Sequence, residues 1–290
     1  MYDKFTSKVL KRYGISLSDV ERLTGYSRST ISQVISGNYK GSEHTRREII
    51  EAVQRLIEEK EGKKREFLTT AQRMMMGVLE DTYEFRDFAL ITGESGIGKT
   101  YTIRKFMERH PDVFSIKIRV RMPYGEILRE LLRALGIGRF VGTNDEKLRA
   151  IMDILSARGI RMLIVDEADL LVSKNREAFQ NKLEIFREIW NDGNGVAVVL
   201  VGLPKLQRAI LESVETYVYS RMGHILQLPE PEPDELEQFL RNQVVEKDEE
   251  AIRKAVSLAK RGFFRTLKKV IARSVKVGLE PAIAMLSHVA

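Results

Sequence analysis

The segment Gly93–Thr100, which reads GESGIGKT, constrains the fold of this 290-residue chain more than any other segment. It fits the pattern G-x-x-x-x-G-K-[ST] and directly follows the apolar run Phe88–Thr92. Glycines allow positive φ angles and close backbone approach, so that successive N–H groups can point at one anion. A helix that begins near Gly98 would add the positive end of its dipole. The pattern therefore predicts a strand, a phosphate-binding loop and a helix, in that order.

We predict that this loop binds ATP together with Mg²⁺. The ammonium group of Lys99 would neutralise the β- and γ-phosphates and so contribute to catalysis, while the hydroxyl of Thr100 would bind Mg²⁺. The alternative is a glycine-rich turn without a ligand, and the flanking strand and helix argue against it. The predicted nucleotide-binding residues of this segment are Gly93, Glu94, Ser95, Gly96, Ile97, Gly98, Lys99, Thr100 and Tyr101.

A second apolar run, Arg161–Asp166, ends in two carboxylates, those of Asp166 and Glu167. Four consecutive apolar residues predict a strand buried on both faces, and ligands bind at the carboxyl ends of such strands. Asp166 would bind Mg²⁺ directly or through water, and Glu167 would orient and deprotonate the attacking water. We therefore predict ATP hydrolysis rather than ATP binding alone. Asp169 is interpreted as a helix cap or a local structural acid.

Apolar strand-like runs alternate with helix-like stretches from residue 88 onward, which predicts an α/β fold with a mostly parallel sheet. The predicted strands are Phe88–Thr92, Val113–Val120, Arg161–Asp166, Val196–Val201 and Ile225–Leu228. The predicted helices include residues 67–84, Lys99–Glu108, Tyr124–Leu135, Asp145–Ala157 and Arg176–Asn191. The strands stop at Pro229–Pro233, and residues 234–290 read as three or four helices.

These patterns divide the chain into three predicted domains. Residues 1–62 would form a small helix-turn-helix domain, residues 63–229 the α/β core, and residues 230–290 a helical subdomain. The run Glu58–Arg65 is charged, contains a glycine and lacks apolar periodicity, so we interpret it as the linker between the first two domains.

Residues 17–35 have the pattern of a helix-turn-helix. Gly25 permits a tight turn, and Ser27 would cap the second helix. The apolar residues that would form the core are Val20, Leu23, Ile31, Val34 and Ile35. The residues that would contact phosphates and base edges in a DNA major groove are Ser27, Arg28, Ser29, Thr30 and Gln33. The alternative is a purely structural or protein-binding helical module.

The charge distribution favours double-stranded DNA as a partner. The formal net charge is +7, and residues 251–279 hold nine basic and no acidic residues. Lys117, Arg119 and Arg121 alternate along or just beyond a predicted strand and would contact DNA. A solvated surface explains any single charged run equally well, so the prediction depends on the basic runs together with the nucleotide-binding core.

The absence of cysteine excludes disulfides, thiolate metal sites and cysteine nucleophiles, and it favours a reducing cytoplasm. The N-terminus lacks the apolar core of a signal peptide. The longest uncharged apolar runs, Phe88–Thr92 and Val196–Leu203, are too short to span a bilayer. We therefore predict a cytoplasmic protein without a membrane partner.

The order of these motifs resembles that of the AAA+ ATPases over nearly the whole chain. Within that family the domain order is similar to the group that includes phage Mu transposition protein B and the IstB and TnsC types. The resemblance implies that Arg221 is a catalytic arginine finger reaching a neighbour's γ-phosphate. It also implies that Arg265 lies in a helical lid and contacts the nucleotide of its own subunit. Leu203 stands where the family has a polar side chain, which implies slow hydrolysis or a substitute polar group from elsewhere.

The resemblance further implies a bacterial or phage-encoded, nucleoid-associated ATPase that acts in DNA transposition. ATP-bound subunits would assemble as a helical filament or ring on DNA, select the target and activate a transposase. Hydrolysis of ATP to ADP would then release the protein. Two alternatives remain open: a helicase-loader-like ATPase, and a transcription regulator in which the ATPase senses ATP and the helix-turn-helix finds an operator.

Overall fold

The computed structural model describes residues 10, 13–63, 67–119, 122–192, 195–213, 222–244, 248–260 and 262–287. The chain divides into two compact units. The α/β unit contains Leu68–Pro233 and Ala259–Thr266, and the helical unit contains Met1–Phe67, Asp234–Leu258 and Leu267–Ala290. The three-domain division expected from the sequence stays a prediction.

From residue 13 onward, the first described helices of the helical unit are α1 (Leu17–Thr24), α2 (Arg28–Ile35) and α3 (Glu43–Lys63). Ser16 and Asp19 form a capping box at the start of α1, and Gly25 ends that helix in the left-handed conformation with φ 72°. Val20 and Ile31 are fully buried where the helices pack together. Two short helices joined by a turn at Gly25 are therefore present, whereas their assignment as a helix-turn-helix domain and its DNA-binding role stay predictions.

One expectation for the core of this unit is wrong. Leu23 is 53% exposed and takes no part in the core. Its i+3 spacing places it on the same face of α1 as Val20, but it lies in the last turn of that helix, where the buried contacts end. The charged run interpreted as a linker is helical as far as Lys63, since α3 continues into it, and its role between domains stays a prediction. Glutamate and lysine are good helix formers, so a charged run without apolar periodicity can still extend a helix.

Among its described residues, the α/β unit contains five strands and the helices that cover them. Its elements up to the third strand are α4 (Thr70–Phe85), β1 (Phe88–Thr92), α5 (Lys99–Arg109), β2 (Val113–Lys117), α6 (Tyr124–Ala134), α7 (Asn144–Ala157) and β3 (Met162–Asp166). The later elements are a short 3₁₀ helix (Ala168–Leu171), α8 (Arg176–Asp192), β4 (Ala197–Gly202), α9 (Pro204–Ser213) and β5 (His224–Gln227). The strand order is β2-β3-β4-β1-β5, and all four neighbouring pairs are parallel.

The three central strands are buried along their whole length, as expected for a parallel sheet covered by helices on both faces. One core joins alternate strand residues, such as Phe88 and Val165, to apolar residues of α6, α7 and α8. Helix α4 packs against β1, β4 and β5. The predicted α/β fold is confirmed, and each predicted strand is present within a few residues.

The predicted strand Val113–Val120 is shorter in the structure and ends at Lys117. Ile118 still donates its N–H to the Asp166 carbonyl at 3.0 Å, but the N–H of Arg119 donates to Met122 Sδ at 3.2 Å instead of to the sheet. The chain therefore leaves the sheet beside the end of β3. Val120 and Arg121 lie outside the described residues.

In the part of the chain after the sheet that the structure describes, four further helices are present: α10 (Pro233–Arg241), α11 (Glu249–Ala259), α12 (Phe263–Val277) and α13 (Leu279–Ser287). This agrees with the three or four helices expected from the sequence. Each helix buries part of its apolar face, for example Leu240, Ala255, Leu267 and Ala282. None of the described helices combines the length and the apolar character needed to cross a bilayer.

Candidate nucleotide-binding and hydrolysis site

The candidate site lies at the edge where the parallel strands have their carboxyl ends. Strand β4 lies between β3 and β1, so three chain segments leave the sheet side by side. The segment after β1 is the glycine-rich loop, and β3 ends in Asp166 and Glu167. The N–H of Gly93 donates to the carbonyl of Gly202 at 3.1 Å, which ties the start of the loop to the end of β4.

The backbone of the loop has a shape that requires glycine. Gly96 and Gly98 have φ angles of 93° and 107°, in the left-handed region that side chains disfavour. A Cβ atom on Gly96 would lie 2.2 Å from the carbonyl oxygen of Gly262, and one on Gly98 would lie 2.2 Å from Nε2 of Gln72. Helix α5 begins directly after Gly98, so the loop presents a helix N-terminus, which suits a phosphate.

Lys99 reaches back over this loop. Its Nζ donates to the carbonyl oxygens of Gly93 at 2.6 Å and Glu94 at 2.9 Å. Burial lowers the pKa of Lys99, whereas the nearby carboxylates of Asp166 and Asp169 act in the opposite direction. Among the described residues no carboxylate pairs directly with this ammonium group, so its charge is available for an anionic ligand.

Thr100 and Asp166 form the second part of the site. The Thr100 hydroxyl donates to Asp166 Oδ2 at 2.7 Å, and Asp166 Oδ1 accepts the N–H of Glu167 at 2.8 Å. Asp166 is only 6% exposed, while Thr100 is exposed. A hydroxyl and a carboxylate that already meet are the oxygen donors that Mg²⁺ prefers, so these residues fit the predicted metal.

Glu167 turns the chain at the end of β3. Its φ of 53° is in the left-handed region, which is uncommon for a residue with a side chain. The carboxylate forms an ion pair with Lys117, with 2.6 Å between Lys117 Nζ and Glu167 Oε1. The hydrogen bond to Glu167 raises the pKa of Lys117. The side chain expected to deprotonate water is therefore held by the last residue of β2.

The segment after α11 lies against the glycine-rich loop. A Cβ atom on Gly96 would lie 3.4 Å from Cβ of Arg265, in addition to its contact with Gly262. The positive charge of Arg265 contributes to lowering the pKa of Lys99, after burial as the main cause. Arg265 is exposed and close to the loop, which suits a contact with bound nucleotide. Arg221, the expected arginine finger, lies outside the described residues.

Comparison with known proteins identifies the domain that contains this site. A family model described as an AAA domain matches residues 82–210, which include the loop, Asp166, Glu167 and β4. The chain carries an AAA+ P-loop ATPase domain. This confirms the predicted family and the predicted enzyme class, whereas the individual roles of the site residues stay predictions.

A curated relative extends the similarity beyond the AAA+ domain. The chain is 25% identical over 268 residues to the Mu-like prophage FluMu DNA transposition protein B of Haemophilus influenzae. The match covers 86% of this chain and 87% of that protein. It confirms the resemblance to AAA+ ATPases of the transposition protein B type.

Solved structures share the fold of this AAA+ ATPase. Cdc6p from Pyrobaculum aerophilum matches with a TM-score of 0.57 and 20% identity, covering 72% of this chain and 62% of that one. The Aeropyrum pernix ORC2 protein, solved as ADPNP-ADP complexes, matches with a TM-score of 0.58 and 18% identity, covering 77% of this chain and 69% of that one. Domain III of the Thermotoga maritima replication initiation protein DnaA matches with a TM-score of 0.52 and 17% identity, covering 77% of this chain and 93% of that one. These similarities show the fold alone.

In this AAA+ ATPase the loop after β4 is tied to Asp169. The Asp169 carboxylate is only 5% exposed, accepts the N–H of Leu203 at 3.2 Å, and pairs with Lys205 Nζ at 2.9 Å. Asp169 is therefore a structural acid, but one that joins two segments rather than capping a helix. Sequence reasoning missed both Lys205 and the Lys117–Glu167 pair, because each contact joins segments that are far apart in sequence.

The candidate DNA contacts of the AAA+ ATPase fall into two groups. At the start of α2, Ser27 caps the helix by accepting the N–H of Thr30 at 3.3 Å. Arg28 Nε donates to Glu21 Oε2 at 2.7 Å. Ser29 and Gln33 are exposed. Near the sheet, Arg119 lies 3.4 Å from Glu130 Oε1, and Lys117 pairs with Glu167. Arg121 lies outside the described residues. Both basic groups stay predictions.

Proposed function

We propose that this AAA+ ATPase acts in DNA transposition, selecting target DNA and activating a transposase. The similarity to a DNA transposition protein B along 86% of the chain is the observation that carries this proposal. The glycine-rich loop with Lys99, and the acidic end of β3, supply the ATP-dependent chemistry that such a cycle needs. The protein would work in the cytoplasm, in association with nucleoid DNA.

ATP would bind on the glycine-rich loop. The N–H groups at the start of α5 and the ammonium of Lys99 would bind its phosphates, so Lys99 would exchange two neutral carbonyl partners for an anion. Mg²⁺, when bound, would neutralise phosphate charge during phosphoryl transfer. Thr100 and Asp166 would hold it, and Glu167 would take the proton from the attacking water.

Nucleotide state would control assembly. Arg221 from a neighbouring subunit would contact the γ-phosphate, and Arg265 would contact the nucleotide of its own subunit. An arginine supplied across a subunit boundary couples the presence of ATP to oligomerisation. ATP-bound subunits would then form a filament or ring on double-stranded DNA, and hydrolysis to ADP would disassemble it.

Assembly would also create the DNA affinity. Each subunit would contribute weak phosphate contacts from α2 and from Lys117 and Arg119, and a row of subunits would add them together. The basic run at residues 251–279 is a further candidate surface. Because many phosphates would be contacted, binding should weaken steeply as salt increases.

Electron microscopy of the full chain with a long duplex tests this proposal. ATP should give continuous protein coverage of the duplex, whereas ADP should give bare DNA or scattered subunits. Footprinting on the same duplex separates the alternatives, because target selection predicts broad protection and an operator-binding regulator predicts one discrete site. Discrete protection that is independent of ATP would contradict the proposal.

A further inference from the structure

The resemblance to AAA+ ATPases implies that a polar side chain at the carboxyl end of β4 meets the terminal phosphate. This strand lies between β3, which carries Asp166, and β1, which leads into the glycine-rich loop. The first residue after β4 is Leu203, whose side chain cannot form a hydrogen bond. The polar side chains nearest in sequence to this strand end are therefore those of the following helix, α9.

Lys205 is the cation closest in sequence to that strand end. It is the second residue of α9, and its Nζ lies 2.9 Å from Asp169 Oδ2. The other oxygen of the same carboxylate accepts the N–H of Leu203 at 3.2 Å. Asp169 therefore fixes both the backbone after β4 and the direction of the Lys205 side chain.

The packing around Asp169 is tight on the side of β4. A Cβ atom on Gly202 would lie 2.8 Å from the backbone nitrogen of Asp169 and 3.1 Å from its Oδ1. Only glycine at position 202 allows this approach. The side chain of Lys205 remains 47% exposed, whereas that of Asp169 is 5% exposed. The Asp169 carboxylate is thus buried, whereas the Lys205 side chain is partly accessible to a ligand.

The same carboxylate connects Lys205 to the phosphate-binding lysine. Asp169 is near enough to Lys99 to oppose the lowering of its pKa by burial. The backbone supplies a second link, because Gly202, which packs against Asp169, accepts the N–H of Gly93 at the start of the glycine-rich loop at 3.1 Å. The acid that holds Lys205 therefore adjoins the strand end to which the loop is tied.

We propose that Lys205, positioned by Asp169, contacts the terminal phosphate and replaces the polar side chain missing at Leu203. The inference rests on the proposed ATP binding at Lys99. Lys205 would be a catalytic residue, because it touches the nucleotide, and Asp169 a positioning residue. Gln207 is the other polar candidate on α9, but its Oε1 already accepts the hydroxyl of Thr92 at 3.2 Å and it carries no charge.

Competitive titration of a fluorescent ADP analogue with ADP and with AMP-PNP tests the assignment without depending on turnover. Lys205→Ala should weaken AMP-PNP binding roughly tenfold, as expected for loss of one charge-assisted hydrogen bond. ADP binding should remain unchanged, because ADP lacks the terminal phosphate. Lys205→Arg should restore most of the preference for AMP-PNP. Arg208→Ala, which removes an exposed charge from the same helix, is the matched control and should behave as wild type.

Asp169→Asn separates the positioning role from a purely structural one. The asparagine side chain can still accept the N–H of Leu203 but cannot pair with an ammonium group. It should lower AMP-PNP affinity selectively and leave ADP affinity intact. An equal loss for both nucleotides would assign Asp169 to structure alone.

The outcomes distinguish this inference from the proposed function. If wild-type protein binds neither nucleotide, the proposed ATPase cycle fails. If wild type binds both and Lys205→Ala keeps the full preference for AMP-PNP, the Lys205 assignment is wrong and the cycle stands. Loss of that preference in Gln207→Ala but not in Lys205→Ala would also overturn it.

Discussion

Lys117 Nζ and Glu167 Oε1 lie 2.6 Å apart, so the carboxylate expected to activate water is ion-paired with a side chain of the neighbouring strand. The pair follows from the register of the sheet, in which Lys117 lies opposite Asp166. Both side chains are partly exposed, at 60% and 41%. A competing anion, such as a DNA phosphate, can therefore reach Lys117.

Removal of Lys117 should raise the ATPase rate measured without DNA. An exposed ion pair contributes about 0.2–1 kcal/mol, so Lys117→Ala should increase the basal rate by up to about fivefold. The rate should also respond less to added DNA. Phosphate release with and without duplex measures both effects. Arg119→Ala, which removes a neighbouring cation paired with Glu130 instead, is the control for the rate without DNA. A lower basal rate in Lys117→Ala would show that the pair supports hydrolysis.

Glu167→Gln should separate nucleotide binding from hydrolysis. The amide keeps the shape of the side chain but cannot accept the proton from water, so turnover should fall about 10²–10⁴-fold. ATP binding should persist, and the protein should stay on DNA after ATP is added. Single-turnover hydrolysis and co-sedimentation with DNA measure these properties. Wild-type turnover in this variant would remove Glu167 from the catalytic role.

Lys99→Ala should abolish ATP binding, the step that precedes hydrolysis. Loss of its charge-assisted hydrogen bonds to phosphate should weaken ATP binding roughly 100-fold or more. Isothermal titration with ATP measures the change. Arg104→Ala removes an exposed cation from the same helix and should bind ATP normally. Equal affinities in the two variants would exclude a direct phosphate contact by Lys99.

The packing of the N-terminal helices can be tested by comparing a substitution at the buried Ile31 with one at the exposed Leu23. Ile31 is fully buried, so Ile31→Ala should destabilise these helices by about 2–5 kcal/mol. Leu23 is 53% exposed, and Leu23→Ala should change stability by no more than about 0.5 kcal/mol. Native-state hydrogen exchange of α1–α3 amides measures both. Similar losses of protection would mean that Leu23 belongs to the core after all.

DNA binding by α2 has its own test. Arg28→Ala should lower duplex affinity. It should also reduce the slope of log affinity against log salt concentration by about one, as expected for the loss of one phosphate contact. Arg47→Ala removes an exposed cation from α3 and serves as the comparison. Fluorescence anisotropy over a series of salt concentrations gives the slopes. Identical slopes for Arg28→Ala and wild type would favour a structural or protein-binding role for these helices.

Local patterns predicted most of the fold and the centre of the site. The strand Phe88–Thr92 has the predicted bounds, and helix α5 begins at Lys99 as expected. Such elements are set by neighbouring residues, through apolar runs, glycine conformations and helix starts. The meeting of Thr100 with Asp166 follows from the rule that parallel strands end at one edge.

Contacts between distant segments could not be predicted in the same way. The pairing of Lys117 with Glu167 depends on the register between β2 and β3, and one residue of slip would turn Lys117 to the other face. The bridge from Asp169 to Leu203 and Lys205 depends on the close approach allowed by Gly202. The helical end of α3 was missed because charged residues carry little periodic signal.

The most direct test of the account is the mass of the complexes that the full chain forms on a duplex in ATPγS and in ADP. Sedimentation velocity at fixed salt gives this mass. If ATP drives assembly on DNA, multi-subunit complexes should form with ATPγS, and free DNA or single subunits should be found with ADP. Complexes of the same size in both nucleotides, or a single subunit on DNA with ATPγS, would contradict it.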